Sequence, residues 1–376
     1  MAAYDQGVTT PFDQLSSVRI PIFGIALGSY VNRTPLFTRM PQAPLGSLSF
    51  KTSTILYRPS SNINVGAVAA NATSLTVVDG SMFQTGDTIE IDSEEYLVTA
   101  VTGNVLTVTS GYAGTTSTTH ADQATVWLIS NTRTGSEINV NGITRIPVAV
   151  TQYAQTFQHI YQVGGSLNSA TDYALPPGIT SVVGKERMMR IRDCSDDVER
   201  AMYYSRPVAI SSGTSKPAQA GLRTLIQTNN TTSPVNGSSY GPGDLVRDTV
   251  QKVYTGGGNP EVLLCSTDWM AGFSIWGHAL LRLNAGTTEY GVSIDTFEAP
   301  FLDGISIVPA PLLRPGTIIC LSKDEYRLRV KRAMFDKPRG SQGDADQGDI
   351  IFEGAIELDN ESHHAWVSGV TGFATT

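Results

Sequence analysis

The sequence has few cysteines, little charge and no long apolar run, and each shortage excludes a class of protein. Only 3 of the 376 residues are cysteine: Cys194, Cys265 and Cys320. Their odd number and wide spacing exclude a disulfide framework and a cysteine metal site, and predict buried thiols in a reducing compartment. No apolar stretch reaches the length of a membrane span. The first residues lack the basic start and apolar run of a signal peptide, so we expect a cytoplasmic origin.

Charged residues make up 16% of the chain, and the formal net charge is −8. Phosphate binding needs concentrated Lys and Arg, so this balance argues against a DNA-wrapping surface. The 36 Gly and 19 Pro favour strands and loops over helix bundles. At this length the chain can form two or three domains with a well-buried core.

Residues with catalytic or metal-binding chemistry are scattered. The adjacent His363 and His364, if in a strand, would point to opposite faces and could not chelate one metal. The acidic stretch 344–349 is similar to the start of a calcium loop, but Ala355 stands at the twelfth position, so we expect a solvated turn there. The sequence therefore predicts neither an enzyme nor a metal or cofactor site.

Residues 70–130 are rich in Val, Thr and Ile between Asp-Gly and Thr-Gly turns, which predicts a compact antiparallel β module. The flanks SFKTSTILYRPSS and GSEINVNGITRIPVAV are typical of the two sides of one long hairpin, so the module is predicted to be an insertion at a loop tip. Acidic residues cluster in the module, where we expect them to block pairing at strand edges; they are Asp87, Glu90, Asp92, Glu94 and Glu95.

The densest charge lies in residues 185–200, KERMMRIRDCSDDVER, where ten of sixteen residues are charged. Apolar residues recur at a spacing that indicates a helix. Basic residues come before acidic ones, opposite to the order that the helix dipole favours. Pairs one turn apart, such as Glu186 with Arg190 and Asp196 with Arg200, are predicted to recover about a few tenths of a kcal/mol each. We therefore expect this two-signed band to contact other charged surfaces, with an ordinary solvated helix face as the alternative. The candidate subunit-interface residues are Lys185, Arg187, Arg190, Arg192, Asp196, Asp197 and Glu199.

From about residue 207 the pattern alternates helix and strand. A helix is predicted from near Asp244 to the glycines at 256–258, followed by the strand EVLLCS and the helix TDWMAGFSIWGHALLRL. A phosphate-binding loop would place its glycines between a strand and the helix that follows, so these glycines do not indicate one.

Three stretches carry a resemblance to a known family: QYAQTFQHIYQVGGSLNSATDYA running into GKERMMRIRDCSDDVERAMYYS, then NPEVLLCSTDWMAGFSIW, and FEGAIELDNESHHAWVSGVTG. In this order they resemble the hairpin exit and spine helix, the axial strand and helix, and the closing segment of tailed-bacteriophage major capsid proteins. The closest similarity is to the podophage-type capsid family, formerly of unknown function, which has the Hong Kong 97 fold.

The resemblance implies an α+β fold with peripheral and axial domains and an inserted small all-β domain. The implied regions are an N-terminal arm at 1–48, an extended hairpin loop at 49–165 with the β domain at about 66–131, a peripheral domain with the spine helix at 166–215, an axial α/β domain at 216–322, and returning peripheral strands at 323–376.

The resemblance also implies a structural protein that assembles into the icosahedral shell of a virion in the bacterial cytoplasm. Its expected partners are copies of itself in hexamers and pentamers, double-stranded DNA held without sequence specificity, and scaffolding, portal and cement or decoration proteins; no membrane is expected. The alternatives are another virion component, such as a tail or fibre protein, and a carbohydrate hydrolase, for which the sequence nominates no pair of carboxylates.

Overall fold

The structure of the protein is a computed structural model. It describes residues 33–54, 58–134, 147–168, 181–211, 216–280, 296–299, 302–340 and 343–374. The chain divides into two units, one formed by residues 1–54 and 148–376 and the other by residues 55–147. Each unit has its own hydrophobic core. No helix in the described ranges is long and apolar enough to cross a membrane.

The strands are β1 (Gln42–Pro44), β2 (Ser49–Thr54), β3 (Ser61–Ile63), β4 (Ser74–Thr76), β5 (Asp87–Ile91), β6 (Glu94–Thr102), β7 (Val105–Thr109), β8 (Thr125–Asn131), β9 (Val148–Tyr153), β10 (Gln155–Gly164), β11 (Asn230–Thr231), β12 (Pro260–Cys265), β13 (Thr296–Ala299), β14 (Leu302–Pro309), β15 (Ile318–Ser322), β16 (Tyr326–Arg339), β17 (Ala345–Leu358) and β18 (Ala365–Val367). The α-helices are α1 (Pro35–Arg39), α2 (Gly165–Asn168), α3 (Val182–Tyr204), α4 (Leu222–Leu225), α5 (Pro242–Leu245), α6 (Gln251–Gly256) and α7 (Thr267–Leu280).

A four-stranded sheet in the order β1–β16–β17–β10 forms one layer of the first unit. The long helix α3 packs on it, because Cys194, Val198 and Met202 recur every fourth residue and form one buried stripe. Phe157 and Phe352 from the sheet belong to the same core. All three cysteines of the chain are buried and free, which confirms the prediction of buried thiols.

The first unit also contains a six-stranded sheet in the order β11–β18–β15–β12–β14–β13. Its aromatic core is built mainly from α7, where Trp269, Phe273 and Trp276 pack against one another. Phe373 from the C-terminal segment lies against Trp269 at a ring-centroid distance of 5.1 Å. The close approach requires Gly272, since a Cβ atom there would lie 2.6 Å from the Phe373 ring.

The helix predicted near Asp244 is present as α5, a π-helical turn at Val246–Val250, and α6. It ends at Gly257, whose φ of 96° lies in the left-handed region that glycine adopts without strain. The following strand β12 and helix α7 also occur where the pattern predicted them.

The two predicted flanks of the hairpin pair with each other. Strands β2 and β9 form an antiparallel two-stranded ribbon with Ser49 opposite Tyr153 and Thr54 opposite Val148. The further parts of both flanks, at 55–57 and 135–146, lie outside the described residues.

The second unit is an antiparallel β structure, as predicted, with strands in the order β3–β8–β5–β6–β7–β4. Hydrogen bonds also join its two end strands, because Val78 N donates to Ile63 O at 3.0 Å and Val65 N donates to Thr76 O at 2.8 Å. The sheet therefore closes into a small barrel. Its interior is filled by a separate set of apolar side chains that includes Tyr96.

The prediction that the module's acidic residues protect strand edges is wrong. Strands β5 and β6 are interior strands of the barrel sheet, and the Asp87 and Glu94 side chains are buried. The Asp87 carboxylate accepts a hydrogen bond from Gln84 N at 2.8 Å. The Glu94 carboxylate accepts from Gly111 N at 3.1 Å and Thr118 N at 2.8 Å. Both buried carboxylates are thus satisfied by N–H donors of nearby loops.

Two further local predictions are corrected. The acidic stretch at 344–349 is not a solvated turn, because Ala345–Leu358 is a strand whose Asp349 is buried. Residues 1–32 of the expected arm lie outside the described residues, and the next part of the arm is not wholly extended, since Pro35–Arg39 is helical.

Candidate functional site

Helix α3 carries all seven residues predicted from the sequence. Ser181 caps its N-terminus, with the side-chain hydroxyl accepting a hydrogen bond from Gly184 N at 3.1 Å. The helix ends at Tyr204, shortly before Pro207, which cannot continue a helix. Its 23 residues include no proline, and the charge band lies within this one helix.

Three members of the band form an ion pair or a hydrogen bond with other elements of the same chain. The Arg187 guanidinium lies 3.0 Å from the Asp336 carboxylate on β16. His159 Nε2 on β10 lies 2.9 Å from Asp197, and this hydrogen bond lowers the pKa of the Asp197 carboxyl. These contacts, and that of Asp196 described next, fix the helix on the four-stranded sheet and the arm.

The Asp196 carboxylate lies 3.0 Å from the Arg33 guanidinium, in the segment just before α1. Burial raises the pKa of Asp196, and the positive charge of Arg33 opposes that effect. The pair predicted between Asp196 and Arg200 is not the one formed, because Arg200 instead pairs with Asp197 three positions earlier.

Arg190 lies on the exposed part of the band. Its guanidinium lies 2.9 Å from Asp193 and 4.0 Å from Glu186, so the predicted pair between Glu186 and Arg190 is confirmed. Glu186 is buried, whereas Asp193 is exposed, and an exposed pair of this spacing contributes only about 0.3–0.5 kcal/mol. The Arg190 charge is therefore available to a partner at little cost to folding.

Two of the seven residues, Lys185 and Glu199, are buried inside the subunit. The Glu199 carboxylate accepts hydrogen bonds from Leu36 N at 3.0 Å, Phe37 N at 2.6 Å and the Tyr203 hydroxyl. Burial raises the pKa of Glu199 to about 7, and these hydrogen bonds oppose the rise. Its side chain therefore links α3 to α1 within one chain.

A ladder of cross-strand ion pairs on β16 and β17 was missed by the sequence reasoning. The Arg329 guanidinium binds Glu357 through two hydrogen bonds of 2.7 and 2.9 Å, a fork geometry that also gives specificity. Arg332 binds Glu353 at 2.6 Å and Arg339 binds Asp349 at 2.7 Å. The ladder residues are Arg327, Arg329, Lys331, Arg332, Arg339, Asp349, Glu353, Glu357 and Asp359.

The signal for this ladder was present in the sequence as charge alternation. Arg327 and Arg329 are two positions apart with an apolar residue between them, and Glu353 and Glu357 are four positions apart. Because successive side chains of a strand point to opposite faces, residues two or four positions apart lie on the same face. The carboxylates are buried under the arginine stems, and the guanidinium groups are the more exposed partners.

The ribbon of β2 and β9 exposes apolar side chains. Val148 is 57% exposed and Val150 is 45% exposed. In the described part of the chain, neither strand pairs with a third strand, so both edges of the ribbon are open. A two-stranded ribbon of this kind has little stability on its own.

The adjacent His363 and His364 both form hydrogen bonds within the chain. His363 Nδ1 lies 2.7 Å from the Glu325 carboxylate. His364 is buried, which lowers its pKa to about 4, and its Nδ1 accepts a hydrogen bond from Ser322 N at 3.1 Å. Among the residues that the structure describes, no group of three or more His, Cys, Asp or Glu side chains could hold a metal ion.

The family model described as SU10 major capsid protein matches residues 32–371. No curated protein matches the chain. Among solved structures, a chain from the phage G gp27 major capsid proteins and gp26 decoration proteins is 6% identical, with a TM-score of 0.50, and the alignment covers 91% of this chain and 92% of that one.

Two further solved structures are similar at lower scores. A chain of Mycobacterium phage Bobi is 12% identical, with a TM-score of 0.49 and coverage of 96% and 98%. The holo-SrpI encapsulin complex from Synechococcus elongatus is 10% identical, with a TM-score of 0.49 and coverage of 93% of both chains.

The family match and the similarity to the phage G structure agree with the order of elements in this chain. A hairpin, a long helix on a four-stranded sheet, and a six-stranded sheet with its helices occur in the order expected of the Hong Kong 97 capsid fold. The family match covers far more than half of the sequence. The chain therefore belongs to the SU10 major capsid protein family, whose members have a structural role in forming the shell of a phage virion.

Proposed function

We propose that this chain assembles through hexamers and pentamers into the closed icosahedral shell that holds double-stranded phage DNA, without catalytic activity. The observation that carries this proposal is the open β2–β9 ribbon with the exposed Val148 and Val150. Apolar side chains and open strand edges together favour burial against another protein surface. A neighbouring copy of the chain would provide that surface in a shell.

The exposed part of the α3 band is the second element of the proposed interface. Arg187, Arg190 and Arg200 have half-exposed side chains, and Asp193 and Asp197 provide the opposite sign. A two-signed surface can meet a like surface of a neighbour and set its register. Lys185 and Glu199 are instead assigned to the interior of the subunit, because both are buried there.

We also propose the regional division that the resemblance implies. The arm at 1–48, the hairpin loop at 49–165, the peripheral parts at 166–215 and 323–376, and the axial part at 216–322 would each contact neighbours in the capsomer. The barrel would be a decoration of the shell. Scaffolding, portal and decoration proteins would join the shell during assembly in the bacterial cytoplasm.

Electron microscopy of the purified, overexpressed protein tests the proposal. We expect closed icosahedral particles or rings of five and six subunits. A chain that stays monomeric at high concentration, or that forms tubes and fibres without rings, would overturn the proposal; the second result would favour a tail or fibre protein. Hydrolysis of a polysaccharide by the purified chain would instead favour the carbohydrate hydrolase.

A further inference from the structure

The outer wall of the barrel carries an exposed tryptophan. The chain has 4 tryptophans, and Trp269, Trp276 and Trp366 are no more than 6% exposed. Trp127, on β8, is 49% exposed. A large aromatic side chain in this setting leaves apolar area in water that its burial against a partner would remove.

Two further apolar side chains are exposed on the same pair of strands. Ile129 follows on the same strand and is 46% exposed, and Ile63 on the neighbouring β3 is 44% exposed. Ile63 is paired with Thr125 and Ser61 with Trp127, so Ile63 and Trp127 lie on the same face of the sheet. We call Ile63, Trp127 and Ile129 the apolar patch.

Two glutamates lie in register with Trp127 on the next two strands of the sheet. Trp127 is opposite Glu90 on β5, and Glu90 is opposite Glu95 on β6. Like charges directly opposite each other in an antiparallel sheet destabilise it. Within the described residues, neither carboxylate forms an ion pair. The row therefore places two uncompensated negative charges beside an exposed aromatic face.

This combination has the chemistry of a cation-binding surface. The face of an indole ring attracts an ammonium or guanidinium group, and carboxylates within reach add charge-assisted hydrogen bonds. The barrel unit as a whole also favours a positively charged partner, because residues 58–134 contain seven acidic and two basic residues. The Ile63 and Ile129 side chains would contact the apolar stem or neighbours of the cationic group.

We propose that the apolar patch and the Glu90–Glu95 pair form a docking surface for a basic segment of a different protein, which places an arginine or lysine against Trp127. Self-association through the same face is disfavoured, since it would bring four carboxylates together. Addition of a strand is also disfavoured, since the barrel sheet closes on itself. Recognition therefore depends on side chains, and this surface is independent of the proposed interface on α3 and the ribbon.

Titration of the full-length chain with a blocked hexa-arginine peptide tests the proposal. Trp127 provides the exposed tryptophan fluorescence, and we expect a saturable change in that signal. Calorimetry should show that Glu90→Gln with Glu95→Gln weakens binding by about tenfold, and that Trp127→Ala weakens it to a similar degree. Glu261→Gln with Asp324→Asn, which removes the same two negative charges from the other unit, is the matched control and should leave the affinity unchanged.

Three results would overturn the proposal. They are binding that survives the double glutamine variant, binding that leaves Trp127 fluorescence unchanged, and equal binding of an uncharged peptide of similar length. Circular dichroism of each variant identifies loss of folding. In a second double variant, Glu90→Lys with Glu95→Lys, we expect the chain to bind hexa-glutamate in preference to hexa-arginine, because the charge of the surface is reversed. Particle formation, followed separately by electron microscopy, keeps this outcome distinct from the assembly proposal.

Discussion

Oε1 of Glu199 lies 3.0 Å from the backbone nitrogen of Leu36, 163 positions earlier in the chain. Oε2 accepts a second hydrogen bond from Phe37 N. These two N–H groups belong to the first turn of α1, whose preceding residue Thr34 makes no side-chain cap. A carboxylate from the long helix thus caps the short one, where negative charge is favoured.

Stability should depend on pH through Glu199. Its pKa is raised from 4.5 to about 7 in the folded chain because burial disfavours the charged form. The folded state then binds more protons than the unfolded state between these values, so its contribution to stability is complete below pH 4.5 and is lost as the pH rises through about 7. The loss is on the order of 3 kcal/mol. Urea unfolding of the unassembled chain at several pH values measures it.

The variant Glu199→Gln should flatten this part of the pH profile, because the amide stays neutral and can still accept one of the backbone hydrogen bonds. Asp193→Asn, on the exposed side of the same helix, is the control and should keep the wild-type slope. An unchanged slope in Glu199→Gln would assign the pH dependence to another group.

Reversal of charge in the exposed band should block assembly more than folding. In the variant with Arg190→Glu and Arg192→Glu, we expect particles and rings to disappear while the free energy of unfolding changes by less than about 1 kcal/mol. Electron microscopy and urea unfolding give the two readouts. The control is Lys323→Glu, an exposed residue in the turn between β15 and β16. If the double variant unfolds before assembly is affected, the band is a brace within the subunit.

Two helical glycines should respond oppositely to the same substitution. A Cβ at Gly272 would lie 2.6 Å from the Phe373 ring, so Gly272→Ala should destabilise the α7 core by about 1–3 kcal/mol. Gly243 has no neighbouring atom within 4 Å of a Cβ, and Gly243→Ala should be neutral or stabilise by about 0.5–1 kcal/mol. Thermal unfolding separates the two; equal effects would show that Phe373 does not constrain Gly272.

Removal of the barrel should leave the other unit able to assemble. The barrel has its own core, and replacing residues 60–132 with a short Gly-Ser linker deletes that core as a whole. We expect particles by electron microscopy and complete loss of hexa-arginine binding. Failure of the deletion variant to assemble, with its remaining unit folded by circular dichroism, would give the barrel a role in the shell itself.

Elements with strong local patterns could be predicted from the sequence. The long helix, the antiparallel module, the paired flanks and the α6–β12–α7 succession each rest on periodicity, caps and turn residues close together in the chain. Contacts between distant residues could not. Nothing near Glu199 in the sequence indicates that its partners lie at Leu36 and Phe37.

The acidic residues of the module show the same limit. Asp87 and Glu94 are acidic residues in strands, a pattern that predicts solvent-exposed side chains, and the sequence does not indicate that loop N–H groups bind them. The position of Tyr203, four residues after Glu199, was the one local indication that a carboxylate on α3 has a partner on its own helix.

The path of the chain through the barrel has a practical consequence. The first strand, β3, and the last, β8, are antiparallel neighbours, and Leu128 N donates to Ser60 O at 2.8 Å. The chain thus leaves the barrel beside the point where it entered. Any folded domain with adjacent termini could be exchanged for it without stretching the hairpin, which would make this position a natural platform for displaying foreign domains in many regularly spaced copies.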